Sequence, residues 1–319
     1  MLSRALRLSL ALEVTFYLAL AIFCFDASLV GALLITLLAM LSFRALLMVF
    51  TYVFSWACRS SWPPLSPGKA LLMVLGEYAA FVLYFVVIFP FERWWMGEDR
   101  LSSVVGQGAA PSGEEPRVRP PVLLIHGYGC SRAAWWWLRP RLEMAGWPVA
   151  TISLEPLYTS IDNYVDPLAR RIDALLAESA AERVIVVGHS MGGLVARAYL
   201  QRYGDSRVAR LITLGTPHRG SQLALLGFGE NARQMRPDSA WLQALAAPAP
   251  ALEALAIYSP HDNFVMPPFR LEMPGGANQA IGGIGHLAML CSPRVAEALL
   301  AALERNAVEP ARRGDVGGS

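Results

Sequence analysis

The chain has 319 residues, of which 55% are hydrophobic and 16% charged, against about 25% charged in an ordinary soluble domain. A formal net charge of +2 offers nucleic acid no basic surface and excludes that class of partner. Four cysteines in this length do not make a disulfide scaffold.

The apolar excess sits in the first ninety residues. Residues 5–25, 27–57 and 70–91 are apolar runs, broken by Asp26 and by a stretch with Arg59, Pro63, Pro64, Pro67, Gly68 and Lys69. A bilayer crossing takes about 20 apolar residues, so the pattern predicts three transmembrane helices over 1–91. The two further runs and the lack of an Ala-x-Ala site after the first favour a membrane span over a cleavable signal peptide. Arg4, Arg7, Arg59 and Lys69 mark cytoplasmic ends, while the first turn carries only Asp26. Three crossings then place everything after residue 92 outside the cytoplasm, which in a bacterium is the periplasmic face of the inner membrane. Glu13, Glu77 and Arg44 lie inside the runs, where a charge is costly. Their depths are roughly 12, 10 and 15 Å from the cytoplasmic ends, so Arg44 is expected to pair with Glu13, Glu77 or both. Three unbroken helices are too few for an ordinary transporter.

Residues 92–119 lack periodicity and read as a linker, with Trp94 and Trp95 suited to the membrane interface. From Pro120 the texture alternates. Strands are predicted at 121–125, 148–153, 183–187, 208–214, 254–258 and 279–282. Helices are predicted at 132–145, 161–179, 193–200 and 293–304, and a disordered tail after Asn306. Such alternation predicts an α/β domain over 120–305, with a mostly parallel sheet and helices on both faces.

The chemistry centres on Gly188-His189-Ser190-Met191-Gly192. A serine between a buried strand and a helix, flanked by glycines, reads as a nucleophile on a sharp turn. A Cβ at residue 188 or 192 would collide with the neighbouring strand or helix. A serine nucleophile needs a base, a carboxylate to orient it, and donors for the oxyanion. Of five histidines, His286 follows the Gly-rich Gly282-Gly283-Ile284-Gly285 and precedes a helix, a place for the base. His218 is expected to shape the pocket wall and His261 to face solvent. Asp262, just after a strand, is the candidate acid. Its rival Asp238 lies in Arg236-Pro237-Asp238-Ser239, a helix N-cap context. The backbone N–H groups of Met191 and of Tyr128, in His126-Gly127-Tyr128-Gly129, are the candidate oxyanion donors, and His126 is expected to be structural. An apolar insertion of about 35 residues follows His218. Its Leu223 is a candidate for an acyl groove, as are Trp135 and Trp136 of the Trp135-Trp136-Trp137 run. Cys130 and Cys291 flank active-site elements, and a disulfide between them is one expectation in an oxidising compartment.

These segments, with Leu214-Gly215-Thr216-Pro217-His218-Arg219-Gly220-Ser221, with Asp262, Val265 and Pro267, and with Gly285-His286-Leu287, resemble bacterial triacylglycerol lipases and related esterases of the α/β-hydrolase superfamily. The resemblance covers about residues 120–305. It implies hydrolysis of carboxylic esters through an acyl-serine, with Ser190, Asp262 and His286 as triad and no cofactor; the paired aspartates that bind structural calcium in some of these lipases have no clear counterpart here, so no metal is expected. The N-terminal helices lie outside the pattern and turn the expected substrate toward lipid or acyl esters at a membrane. Acyl transfer or thioester hydrolysis would use the same residues, and a silent binding module would use none of them.

Overall fold

The computed structural model describes residues 1–58, 64–101, 119–179, 181–245 and 252–305. Most of the expected linker and the expected tail lie outside them. The chain opens with α1 (Leu2–Phe25) and α2 (Leu29–Ala57), joined by a tight turn in which Asp26 adopts the left-handed conformation and Ser28 caps α2 by accepting from Gly31 N–H. The third helix, α3 (Pro67–Val82), begins at a proline and runs on as a π-helical turn, Leu83–Ile88. Together the three stretches of 24, 29 and 22 residues are each long and apolar enough for a bilayer. A short α4 (Glu92–Met96) follows.

The α/β domain then runs β1 (Val122–Ile125), α5 (Arg139–Met144), β2 (Val149–Ile152), α6 (Val165–Ser179), β3 (Val184–His189), α7 (Met191–Tyr203), β4 (Val208–Leu214), α8 (Glu230–Gln234), α9 (Ala240–Leu245), β5 (Glu253–Tyr258), β6 (Ala277–Ala280) and α10 (Pro293–Glu304). The six strands form one parallel sheet in the order β2-β1-β3-β4-β5-β6. Several elements differ from the sequence expectation, among them α4 within the expected linker and a 3-10 turn, Ile161–Tyr164, ahead of α6. The helix expected at 132–145 is a 3-10 turn, Arg132–Trp135, followed by α5, because Pro140 restarts the helix. The last strand begins two residues earlier than expected, at Ala277.

The strands are apolar at consecutive positions because both faces of the sheet are covered. Val122 and Leu124 of β1 point to one core, with α5 and α10, while Leu123 and Ile125 point to the other, with α6 and α7. The first core does not end at the α/β domain. Leu2 of α1 and Ala80, Tyr84, Ile88 and Phe89 of the α3 stretch belong to it. Fully burying one such side chain contributes ~1.5–3 kcal/mol, so the helices are bound to the domain and not merely tethered by a linker.

Among the three intrahelical charges, Arg44 pairs with Glu13 alone, through Nη1–Oε1 at 2.8 Å and Nη2–Oε2 at 2.7 Å. Glu77 turns the other way, into the α/β domain. Arg4 and Arg7, near the start of α1, share the lining of one cavity with Phe91, Arg93 and Trp94, just past the α3 stretch.

Candidate active site

Ser190 sits between β3 and α7 with φ 53° and ψ −125°, a backbone conformation that costs a serine ~1–3 kcal/mol. Its surroundings enforce it. Ser190 N–H donates to Leu214 O, and the Thr216 hydroxyl donates to Ser190 O, both at 2.9 Å. A Cβ on Gly188 would lie 2.5 Å from Gly193 N, and one on Gly192 would lie 2.3 Å from Ile125 O. The serine therefore stands at the carboxyl edge of the sheet, at the start of a helix, where ligands of open parallel sheets bind.

The loop after β5 supplies Asp262, which is buried. Its Oδ1 accepts from Phe264 and Val265 N–H at 2.7 and 2.8 Å, leaving Oδ2 to accept from His286 Nδ1 at 2.7 Å. Burial alone would depress the His286 pKa, but the charge and hydrogen bond of Asp262, with the charge of Glu77, leave it above the usual histidine value. Since Nδ1–H is committed to Asp262, Nε2 is left as the proton acceptor. Asp238, the rival acid, is exposed and lies 3.8 Å from Arg270.

Gly127 lies so close to the serine that a Cβ there would be 2.9 Å from Ser190 Cβ. The 126–129 loop thus overhangs Ser190. Tyr128 N–H donates to no backbone carbonyl among the described residues, and Met191, first residue of α7, has no intrahelical acceptor for its N–H. His126 braces this loop. Its Nδ1 bonds Gly127 O at 3.0 Å and its Nε2 accepts from Leu154 N–H at 2.9 Å. Burial lowers its pKa to about 4, so it is neutral.

The remaining histidines are structural. His218 is buried between Thr213 Oγ1 at 2.9 Å and Arg197, which also donates to the His218 carbonyl. His189 bonds the His286 carbonyl at 3.2 Å. His261, expected to face solvent, is buried instead, because its Nδ1 accepts the Gly283 N–H at 3.1 Å.

A cavity of about 360 Å³ meets Ser190 and His286, and its lining is chiefly apolar. Leu223 lines it as expected, with Leu226 and Met235 of the insertion. Trp135, Trp136 and His218 do not. Trp135 packs in the core behind His189, since its 3-10 turn points it inward, and Trp136 meets Trp95. Cys130 lines the cavity, and it and Cys291 are both free thiols, so the pairing that the sequence left open is not made. Burial pushes the Cys130 thiol up to about 12.

Sequence reasoning missed the contribution of the N-terminal helices. Phe50 of α2 and Phe85 of the α3 stretch wall the cavity. The Ser55 hydroxyl donates to the Asp262 carbonyl at 3.0 Å, and Asn263 joins Thr51 to the His286 N–H through bonds of 2.9 and 3.1 Å. Glu77 accepts from Leu287 and Ala288 N–H at 2.9 and 2.8 Å, immediately after the histidine. The only sequence sign of this was a carboxylate inside an apolar run.

The sequence profile of the family described as alpha/beta hydrolase fold matches residues 120–250. The domain has the α/β-hydrolase fold. Among curated relatives, a triacylglycerol lipase of Burkholderia plantarii is 29% identical over 136 residues, which is 40% of this chain and 38% of that protein. A pimeloyl-[acyl-carrier protein] methyl ester esterase of Aromatoleum aromaticum is 38% identical over 98 residues, or 31% and 38% of the two chains. The chain thus spans well under half the length of these relatives. Among solved structures, the hydrolase fold is shared with mature Bacillus licheniformis lipase BlEst2, at TM-score 0.54 and 19% identity over 61% of this chain and 96% of that one. Aspergillus fumigatus lipase B aligns over 95% of this chain and 81% of its own, at TM-score 0.59 and 16% identity.

Proposed function

We propose that this α/β hydrolase is a serine esterase acting on carboxylic esters with apolar acyl groups, at a membrane into which its N-terminal helices insert. The observation that carries the reading is the convergence of Ser190 and the Asp262-oriented His286 on one apolar cavity. His286 Nε2 takes the proton of the Ser190 hydroxyl as its oxygen attacks the ester carbonyl. The tetrahedral oxyanion is held by the N–H groups of Tyr128 and Met191. His286 returns the proton to the departing alcohol, leaving an acyl-serine. Water, deprotonated by the same histidine, then releases the acid. Several relatives carry lipase or esterase names, which supports the reaction class.

The acyl group is assigned to the space between Leu223, Leu226 and Met235 on one side and Phe50 and Phe85 on the other. A p-nitrophenyl ester series of increasing chain length, assayed on the full chain in micelles, tests this. The expected optimum is well beyond acetate, and Phe85→Trp moves it to shorter chains by filling the cavity. Acetate as the best substrate, with Phe85→Trp neutral, would overturn the assignment.

A further inference from the structure

The contacts of the N-terminal helices favour fewer than three crossings. The α3 stretch touches the hydrolase domain along its length. Near its start, Leu65 lies 3.7 Å from the Cβ position of Gly283. Midway, Glu77 binds Leu287 and Ala288. Toward its end the Tyr84 hydroxyl donates to Ala134 O at 3.1 Å, and just beyond it Glu92 pairs with Arg132 at 3.0 Å. A stretch of 22 residues is ~33 Å long, about the thickness of a bilayer core. Were it to cross, the irregular loops of the hydrolase domain would lie at membrane depth, exposed to lipid, which their backbone polar groups do not tolerate.

The other two helices are placed differently. Their bonds and core contacts with the domain fall near its surface: Leu2 and Leu6 at the start of α1, and Phe50, Thr51 and Ser55 toward the end of α2. From there α1 and α2 run together to their turn. Phe23, Phe25, Leu29 and Val30 around that turn are all exposed. The hairpin's one internal ion pair, Arg44–Glu13, is closed between the two helices with side chains only 10% and 18% exposed. Such pairing is what charges within a bilayer require.

We infer that the α1–α2 hairpin alone crosses the bilayer, that α3 lies at the interface against the hydrolase domain, and that the domain stands on the cytoplasmic face. The side follows from the count of basic residues once the crossings are two. Arg4, Arg7, Lys69, Arg93 and Arg100 all flank the domain side, whereas the 26–28 turn carries Asp26 and no basic residue. The cavity wall at Phe50, seven residues before the end of α2, then opens at the inner leaflet, and acyl substrate arrives from there. The inference rests on membrane insertion but not on the esterase reading.

The test uses the full chain with Cys24, Cys58, Cys130 and Cys291 replaced by alanine. Single cysteines are returned by Ser3→Cys, Ala27→Cys or Glu178→Cys, with Asp26→Cys as a second probe of the turn. Each variant, expressed in a bacterium, is treated with a membrane-impermeant maleimide in spheroplasts and in inverted inner-membrane vesicles. Labelling of Ala27→Cys and Asp26→Cys in spheroplasts only, and of Ser3→Cys and Glu178→Cys in inverted vesicles only, is expected. Glu178→Cys labelling together with Ala27→Cys, on the face opposite Ser3→Cys, restores three crossings and overturns the inference. All four sites labelling from one face would show that the hairpin does not cross, and the reverse pattern would overturn the orientation. None of these outcomes depends on ester turnover.

Discussion

Glu77 is the residue through which α3 grips the loop of His286, the proposed base, and removing its carboxylate is the most informative perturbation. It is fully buried and accepts the N–H groups of Leu287 and Ala288. Glu77→Leu keeps the bulk and leaves both donors unpaired. Each costs ~1–3 kcal/mol when buried, so the loss of stability is about 2–6 kcal/mol. The strain is relieved by movement of the Gly285–Ala288 segment, which packs on Glu77 so closely that a Cβ on Gly285 would lie 2.4 Å from Oε2. His286 rides on that segment, and a displacement of ~1 Å of a catalytic group costs on the order of 100-fold in rate. Glu77 does not line the cavity, so the loss falls on kcat and leaves KM within about twofold. Glu77→Gln keeps one acceptor and falls between wild type and leucine. It also removes a charge that, with Asp262, raises the His286 pKa; burial and the His286 charge hold the pKa of His189, the other titratable ring against it, well below the usual histidine value. The acid limb of the kcat/KM profile therefore moves to lower pH in Glu77→Gln, which a purely structural role would not produce. Steady-state kinetics in micelles across pH, alongside thermal melts, provide the measurements. A Glu77→Leu variant with wild-type kcat and an unmoved acid limb would refute the reasoning.

In the wild type, activity is expected to rise with pH through a value above 6.5, as His286 loses its proton. The same raised pKa stabilises the fold fully below the unfolded value of 6.5, and that contribution is lost as pH rises through the folded value. Asp262→Asn removes the orienting charge, lowers kcat by about 10⁴ as loss of such a carboxylate does elsewhere, and shifts the acid limb downward in the pH–rate profile. Arg44→Leu or Glu13→Leu alone strands a charge between α1 and α2 at a cost of ~3–5 kcal/mol, and the double substitution recovers most of it. Thermal melts of the two single variants and the double variant, in detergent, read this cycle.

The Gly188–Gly192 turn was legible because its requirements are local. A strand, a helix and glycines with no room for Cβ are adjacent in sequence. Asp262 and His286 were legible because each follows the end of a strand, where the parallel sheet gathers functional side chains. The docking of the helices was not, since Glu77 binds residues 210 positions away. Depth along a helix axis is read from sequence, but the direction a side chain faces around that axis depends on what packs there. Hence Glu13 and Glu77 looked equivalent as partners for Arg44, and only Glu13 faces it. For the same reason Phe50 and Phe85 read like lipid-facing residues although they wall the cavity. The two misplaced tryptophans and His261 follow from local backbone that spacing does not specify, a 3-10 turn at Arg132–Trp135 and the Gly283 N–H aimed at an imidazole.

The nucleophilic role of Ser190 is tested most directly by covalent labelling. A fluorophosphonate probe is applied to the full-length protein in micelles, and the modified peptide is identified by mass spectrometry. The expected result is stoichiometric phosphonylation of Ser190, abolished in Ser190→Ala and slowed by orders of magnitude in His286→Ala. Folded wild-type protein that leaves Ser190 unmodified, or that reacts equally well without His286, would contradict the account.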